Sequence, residues 1–478
     1  MIIGKRGFSL ASSLLAGLVV VGLGMGMSTD AKAQETDFSP FARFGLGTSQ
    51  GQLSPGLAST VGLISVNPDN VFINPDQPAS AAALGNPTFQ GSIHVQGMQL
   101  SEGEATSNAW TGGPGNFGLV VKRPRARSAF SLGLTPMTSK AYLVQRSLTD
   151  TALGEVSTAF EGEGGLARAY MGLSHGWREK SWVAAGQKDS VQISVRGLDL
   201  GAQVDHWFGD ALQTSRIDIL DPTFRDARTV VSSRQRATGF ILGAEAFQVL
   251  RARYDDLKQF RGSWVMRLGA TWSPERALNT DFTKWTESTV LLSGVVTGID
   301  TTEFIQTELQ GTVPSKWTLG GGLQYDGSRG NRFGVFVDLH AQSWSNANAS
   351  LGHLMDGDGS WADAWSRSIA MVWTPGRKPG RITRTTYRAG FSHAMLPLDL
   401  ASAGDAATVQ LQEWRASCGF NAPLKGSRSA SQLHFGMDFG RRYTDLESYH
   451  TESNMRVHIG VTLTPFVKNL WLTPRLYD

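Results

Sequence analysis

The chain has 478 residues, with 44 Lys and Arg against 41 Asp and Glu, and its single cysteine is Cys418. This charge balance gives no basic field for nucleic acid, and one cysteine excludes an internal disulfide or a cysteine cluster for zinc. After the amino-terminal region no apolar run approaches the roughly 20 residues that a membrane helix needs. A helical membrane protein is therefore excluded.

The amino terminus is typical of an export signal. Lys5 and Arg6 form a short basic region, an apolar run follows over residues 8–27, and the Ala-Lys-Ala at 31–33 has the small-x-small pattern of a cleavage site. We predict a signal peptide over residues 1–33, removed in the mature protein, with an uncleaved anchor helix as the alternative. No cysteine stands near the cut, so a lipoprotein is not expected.

Residues 34–87 differ from the rest of the chain, because they are rich in Gly, Pro, Asn and Ser and alternate only weakly. Their short apolar pieces break at Asn67-Pro68 and at Asn74-Pro75. A free linker would have this composition too. The segment is nevertheless apolar enough to be buried, and we predict an N-terminal plug.

From residue 88 onward, apolar residues recur at every second position, which places one set on each face of a β-strand. The clearest runs are 263–272, 316–326, 333–342, 432–440 and 453–465. Further candidates lie near 88–99, 116–122, 128–135, 165–177, 190–206, 237–249, 285–297, 365–374, 384–395 and 408–420. Averaged hydropathy hides such barrels, because lumen-facing and lipid-facing residues cancel.

The fold class that we predict is all-β, a transmembrane antiparallel barrel over residues 88–478. Single-chain bacterial barrels have even strand numbers, and the candidates favour 14. The last strand, 453–465, should close the cylinder against the strand near Thr88. The side chains expected to face lipid are Met455, Val457, Ile459, Val461 and Leu463.

The apolar phase slips within 190–206. Val195 ends one parity and Leu198 begins the other, so the switch falls at Arg196-Gly197. One extra residue has this effect, and we predict a β-bulge at Gly197. A strand that ends and restarts would give the same pattern.

Three polar stretches, 208–232, 274–284 and 345–363, are predicted to be long loops on the outside. Residues 356–359, Asp-Gly-Asp-Gly, lack the ligand spacing of a calcium loop. The nine His residues form no metal-like spacing, and no Gly-x-Ser-x-Gly nucleophile motif is present. We therefore expect neither an enzyme nor a cofactor or metal site.

Charged residues on the polar parity are predicted to point into the lumen. An Arg or Lys that faces lipid at mid-membrane costs roughly 2–4 kcal/mol. The candidates are Arg267, Asp338, His340, Arg388, Glu413, His434, Asp438 and Arg456. They would either contact a ligand or form a polar network that satisfies itself and fills the lumen.

Short motifs in the carboxy-terminal third resemble the outer-membrane proteins of the long-chain fatty acid transporter (FadL) superfamily. They lie at residues 313–315, 320–325, 342–344, 387–391, 419–424 and 438–442 and in the tail Arg475-Leu476-Tyr477-Asp478. Residues 71–76 resemble the plug motif of that family, although Asp76 stands where Ala is usual. The tail is closest to that of one particular branch of the superfamily.

The resemblance implies a 14-stranded barrel, an internal plug and passive uptake of hydrophobic molecules. It makes Phe72, Asn74, Pro75 and Asp76 candidate plug and ligand residues, and Gly197 the counterpart of a lateral opening in a kinked strand. The partners would be lipid of a Gram-negative outer membrane and a hydrophobic small molecule.

Two functions are consistent with these features. The first is a channel for fatty acids or aromatic compounds. The second is a non-transporting barrel that serves as a partner or scaffold for a protein-secretion or surface-assembly apparatus. A continuous apolar cavity beside the plug would favour the first, and a filled lumen the second.

Overall fold

The computed structural model describes residues 39–464, apart from short gaps. The gaps are 52, 55, 70, 104, 124–125, 151–153, 185–189, 220–223, 256–259, 293–294, 329, 356–358, 377–384, 402–407, 425–430 and 446–448. The predicted signal peptide, the tail at 475–478 and most of the Asp-Gly-Asp-Gly stretch lie outside the described residues.

Strands dominate the described chain. In chain order they are β1 (Thr48–Ser49), β2 (Thr88–Glu102), β3 (Ala105–Val121), β4 (Ser128–Pro136), β5 (Thr138–Ser139), β6 (Tyr142–Asp150), β7 (Gly154–Gly164), β8 (Ala167–Ala184), β9 (Ser190–Ile219), β10 (Asp226–Tyr254), β11 (Phe260–Ser273), β12 (Arg276–Leu292), β13 (Val295–Val313), β14 (Lys316–Gly327), β15 (Arg332–Gln342), β16 (Gly359–Ser360), β17 (Ala364–Thr374), β18 (Thr386–Ala401), β19 (Thr408–Pro423), β20 (Gln432–Tyr443) and β21 (Thr451–Leu463). The short helices are Pro40–Arg43, Ala58–Thr60, Pro78–Ala83, Trp344–Ala347, Asn348–Leu351 and Gly352–Leu354. None of the helices in the described part is long and apolar enough to cross a membrane.

Fourteen of these strands close a ring in which every neighbouring pair is antiparallel. The order is β2-β3-β4-β8-β9-β10-β11-β14-β15-β17-β18-β19-β20-β21, and β21 returns to β2. The prediction of a closed barrel of 14 strands is confirmed. The last strand closes it as expected, with Ile459 opposite Ile93.

The outer surface of the barrel is apolar. In β21 the residues of the Met455–Leu463 set are exposed or half-buried, whereas Arg456, His458 and Thr462 between them are buried. The same surface carries Leu268 and Leu319, which are 52% and 56% exposed. Apolar side chains this open are suited to contact with lipid rather than water.

Two belts of aromatic side chains border this apolar band. At one end Trp272 and Trp317 stack at 5.4 Å, and at the other Trp264 lies 5.4 Å from Tyr325. Trp264 and Trp272 belong to one strand, eight residues apart, which corresponds to about 27 Å. Because strands of outer-membrane barrels tilt by roughly 35–45°, this length corresponds to about 20 Å across the membrane, close to their apolar band of roughly 25 Å.

The two ends of the barrel differ in their connections. The chain enters β2 and leaves β21 at the end of the Trp264 belt, where the described parts of the connections carry no inserted elements. At the other end the connections carry the hairpins β6–β7 and β12–β13 and the helical loop at 343–363. Because long insertions face outside in such barrels, we call this the outer end.

The predictions of long loops at 208–232 and 274–284 are wrong. Residues 208–219 and 226–232 continue β9 and β10, and residues 276–284 belong to β12. These segments lie above the aromatic belt, where no strand face is suited to lipid and only single apolar residues such as Leu278 and Val230 are buried. Alternation of apolar and polar residues therefore disappears although the strand continues. The third predicted loop, 345–363, is a loop with short helices.

The strand predicted at 285–297 lies outside the ring. It spans the hairpin β12–β13, and β12 pairs with the extended part of β10 from Ala237 to Asp226. On the other side β7 pairs with β9 from Ala211 to Ile219. The six strands β6-β7-β9-β10-β12-β13 form one sheet, the outer sheet, which continues the wall of the barrel.

The predicted bulge in β9 is present but displaced. Glu179 of β8 faces Arg196 and Lys180 faces Ser194, so Val195 is the extra residue. Gly197 keeps regular partners on both neighbouring strands, Arg178 and Phe247. The wall is therefore closed at Gly197. Glycine is favoured there by packing, since a Cβ would lie 2.5 Å from the Phe247 ring.

Residues 39–87, which we call the plug, lie inside the barrel. The helix Pro78–Ala83 packs against β8, β9 and β10, and the helix Ala58–Thr60 packs against β18, β19 and β20. These two groups of strands stand in separate parts of the ring. Leu57, Leu63 and Phe72 are fully buried. The plug thus spans the lumen.

Candidate functional site

A cavity of about 510 Å³ lies between the plug and the inner wall, towards the outer end. We call it the outer cavity. Its apolar lining comes mainly from the plug and the outer connections: Phe41, Phe44, Leu46, Met137, Trp207, Trp344, Met355, Trp361 and Leu398. Its charged lining comes mainly from the strands: Asp76, Arg168, Asp205, Arg276, Lys316, Glu413, Arg415, Asp438, Arg442 and Arg456.

The loop at 343–363 forms the roof of the cavity. Trp344 and Trp361 stack face to face with ring centroids 4.5 Å apart. The Trp361 backbone N–H donates to the Asn348 Oδ1 at 2.8 Å, and the Asn348 Nδ2 donates to the Trp361 carbonyl at 2.8 Å. Leu351 packs below them against a buried apolar cluster that includes Leu278. These contacts hold the roof in one position.

The base of this loop is fixed by a carboxylate outside the membrane band. The Asp363 Oδ1 accepts from the Ser345 backbone N–H at 3.0 Å and from the Ser345 hydroxyl at 2.7 Å. These two hydrogen bonds favour the charged form and lower the pKa of Asp363 below its usual value.

On one side of the cavity two buried ion pairs are present, one between wall and plug and one between two strands. The Arg168 guanidinium lies 2.7 Å from Asp76 of the plug, and Arg276 lies 2.6 Å from Asp205. The Arg276 guanidinium also stacks 4.5 Å from the Trp207 ring. Lys316 stands close enough to interact with Asp76 electrostatically, but it forms no ion pair within 4.0 Å in the described structure.

On the opposite side the charges form a larger network. Arg415 lies 2.5 Å from Asp438 and 3.0 Å from Glu413, and Arg442 lies 2.8 Å from Glu413. The His458 ring is 2.6 Å from Asp438. Because most of these groups already have partners, this side of the cavity is compensated without a ligand.

The four predicted plug residues separate into two pairs. Pro75 and Asp76 line the outer cavity, whereas Phe72 and Asn74 do not. The Asn74 side chain donates to the Ile64 carbonyl at 2.7 Å and accepts from the Asp76 backbone N–H at 3.1 Å. Asn74 therefore shapes the plug, and Asp76 is the member of this motif that could meet a ligand.

Three predicted lumen residues hold the plug in place. Asp338 accepts from the backbone N–H of Ile64 at 2.6 Å and from that of Ser65 at 2.9 Å. Arg388 pairs with Asp69 of the plug and lies under the Phe72 ring at 5.3 Å.

The third, Arg267, lies 3.3 Å from Glu245, whose other carboxylate oxygen accepts from the Asn67 backbone N–H at 3.5 Å. Arg267 thus acts on the plug through its partner. These three residues lie away from the outer cavity.

The remaining candidates divide by position. His340, Asp438, Glu413 and Arg456 line the outer cavity, whereas His434 is buried away from it and bonds to Thr462 at 2.8 Å. Sequence reasoning missed the aromatic roof and Lys316. The pair of tryptophans in the loop at 343–363 was the available signal, since a solvated loop seldom needs two. No cluster that could hold a metal is found among the described residues.

Comparison with known proteins gives one family and several similar structures. The model of the family described as BamG matches residues 17–478. No curated protein matches. Solved structures that resemble the chain include the CymD monoaromatic hydrocarbon channel, at 12% identity and a TM-score of 0.46, which covers 87% of this chain and 98% of that one.

Two further similar structures come from Pseudomonas. A FadL homologue of P. aeruginosa shares 11% identity over 88% of this chain and 99% of its own, with a TM-score of 0.46. The P. putida toluene transporter TodX shares 16% identity over 81% and 91%, with a TM-score of 0.44. At such identities and scores the likeness carries no argument about function.

Proposed function

The chain belongs to the BamG family, and we propose that it is an outer-membrane channel for the passive uptake of hydrophobic small molecules such as fatty acids or aromatic compounds. The observation that carries this proposal is the outer cavity beside the plug. Its volume of about 510 Å³ lies in the range of small-molecule sites, roughly 300–1,000 Å³.

The lining of the cavity supports an apolar or amphipathic ligand. Aromatic and aliphatic side chains from the plug and roof would surround the apolar part of the molecule. Lys316 would face a carboxylate or another acceptor, since it is the cation beside Asp76 that has no ion pair in the described chain. A neutral aromatic compound would contact only the aromatic and aliphatic side chains of the cavity.

Passage through the barrel requires two movements. The roof, held by the Trp344–Trp361 stack, must admit the ligand. The plug must then release it, and the Arg168–Asp76 pair is one of the contacts that join plug and wall at the cavity, as is the bond from Arg456 to the Gln50 carbonyl at 2.7 Å. We further propose a sideways exit between β8 and β9, where the bulge at Val195 interrupts regular pairing.

A cavity-filling substitution tests the channel. Ala394 of β18 lines the cavity, and Ala394→Phe should reduce binding of a fluorescent fatty acid to the purified protein about tenfold or more. Ala389→Phe is the matched control, because Ala389 lies on the same strand at the opposite parity. Equal binding by both variants would contradict the proposal.

A second function, the partner or scaffold barrel, is favoured by a different observation. The lumen below the cavity is filled by the plug, and the outer sheet extends beyond the barrel with strands exposed on both faces. Complementation of a deletion strain distinguishes the two functions. If the Ala394→Phe variant no longer binds the ligand but still corrects the envelope defect of the deletion strain, the partner function is favoured.

A further inference from the structure

The outer sheet ends in an unusually open edge strand. β13 pairs with β12 along one side, and no strand in the described chain pairs with its other side. Near the barrel this free side is covered, because the Thr312 backbone N–H donates to the Ser350 Oγ at 3.1 Å. Towards the tip two register shifts leave Ile299 and Thr302 unpaired. The regular, uncovered part is Glu303–Gln310.

Over Glu303–Gln310 this edge has no Lys, Pro, bulge or covering loop in the described structure. Natural edge strands are blocked by Lys, Pro, bulges or covering loops. β13 contains no Lys, Arg or Pro over its whole length. Phe304 is 64% exposed, and Ile305 on the other face is also open. Such a strand is suited to accept a further strand from another polypeptide through backbone hydrogen bonds.

The charges across the sheet indicate which side chains the added strand should carry. On the face that continues the outer surface of the barrel, Asp210, Arg234 and Asp281 stand opposite one another on β9, β10 and β12. Asp281 faces Glu308 on β13, which places two like charges side by side. Like charges directly opposite are unfavourable. A cation beyond Glu308 would give this carboxylate an opposite charge on its free side.

An apolar position lies on the same face. Trp285 of β12 is directly opposite Phe304, four residues from Glu308 along β13. A side chain beyond Phe304 would complete an apolar row. A second copy of the chain cannot supply the cation from β13, because that strand has no basic residue.

We infer that β13 binds an extended segment of a different protein as a seventh strand of the outer sheet, with a basic and an apolar residue four positions apart. The inference rests on the partner function proposed above and specifies its surface. An antiparallel segment would have the order basic-x-x-x-apolar.

A synthetic peptide tests this edge on the purified full chain in detergent. The peptide Thr-Lys-Thr-Ser-Thr-Phe-Thr-Ser should bind, and its Lys→Glu version should bind about tenfold more weakly. In Glu308→Lys protein the preference should reverse. Glu161→Lys changes the same charge on an inner strand of the same sheet and should leave the preference unchanged.

Backbone pairing is tested with two N-methylated peptides. Methyl groups on alternate nitrogens block one edge of the peptide, and the two peptides differ in which edge is blocked. One should lose binding and the other should keep it. Equal binding by both, or no reversal in Glu308→Lys, would overturn the inference. If Glu308→Lys fails to fold, the charge-reversed peptide on the unaltered chain decides.

The edge and the partner function fail in different ways. Photocrosslinking in cells from β6, at the far side of the outer sheet, reports partners that do not use β13. Crosslinks there without peptide binding would retain the partner function and reject this edge. Absence of both would reject the two together.

Discussion

The strands β9 and β10 pass through two different environments, and the contrast explains much of the molecule. Inside the barrel their polar face meets the plug, where Asp205 and Glu245 are buried and paired with Arg276 and Arg267. In the outer sheet the same strands carry exposed pairs such as Asp210 and Arg234. One backbone therefore supports two kinds of ion pair, and the buried kind includes a contact with the plug, from the Asn67 backbone N–H to Glu245.

The largest expected effect comes from breaking a buried pair. Arg388 and Asp69 are 1% and 3% exposed, and Asp69→Ala leaves the guanidinium without its partner. Loss of one member of a buried pair costs about 3–5 kcal/mol. We expect release of the plug from the wall, measured as faster protease cleavage within residues 39–87 in an intact barrel. Replacing both residues by apolar ones should restore much of the protection.

The matched change in the outer sheet should have little effect. The Arg234 and Asp210 side chains lie 2.7 Å apart, and both are more than half exposed. Exposed pairs contribute roughly 0.2–1 kcal/mol. Asp210→Ala should therefore leave plug protection unchanged and lower the denaturant midpoint only slightly. A loss as large as that of Asp69→Ala would remove the distinction between the two environments.

The roof of the outer cavity gives the next prediction. Trp361→Ala removes the stack with Trp344 and the hydrogen bond from its ring nitrogen to the Leu351 carbonyl at 3.1 Å. Burial losses of this kind cost about 3–5 kcal/mol, here confined to the loop. We expect several-fold faster association of a neutral fluorescent ligand in stopped-flow measurements. An unchanged rate would show that the roof does not control access.

A bulky residue at Gly197 tests the sideways exit. Gly197→Leu would displace Phe247 and the Arg178 side chain, both within 3 Å of the new Cβ. Uptake into vesicles should slow several-fold while the barrel remains folded. Gly91→Leu is the control, because its Cβ would have ordinary contacts of 3.5 Å. Equal uptake by both variants would exclude this route.

The smallest effect concerns Asp363 at the base of the roof. Its pKa is lowered by Ser345, so its contribution is present above the ordinary value of 3.8 and is lost as the pH falls through the folded value. Association of a neutral ligand should therefore become slightly faster on acidification. In Asp363→Ala it should be fast at both pH values. A pH effect that survives this substitution would have another origin.

The sequence by itself determined the barrel and its last strand. The apolar side chains of β21 and of β14 recur with period two. Such a period indicates a strand with one face towards lipid and the other towards the lumen. It also marked residues before 88 as a segment apart. The same criterion did not predict the outer sheet, because in residues 276–284 the apolar Leu278 and Phe282 alternate with polar residues on the same face of the strand.

Only the tertiary structure decided which residues meet. Arg388 pairs with Asp69 across 319 positions of sequence, and Trp344 and Arg168 line the same cavity. The displaced bulge at Val195 depends on the register with β8, which one strand does not encode alone. Local alternation reports the medium on each face of a strand. Register and plug contacts join residues that are far apart in the sequence, so no local pattern specifies them.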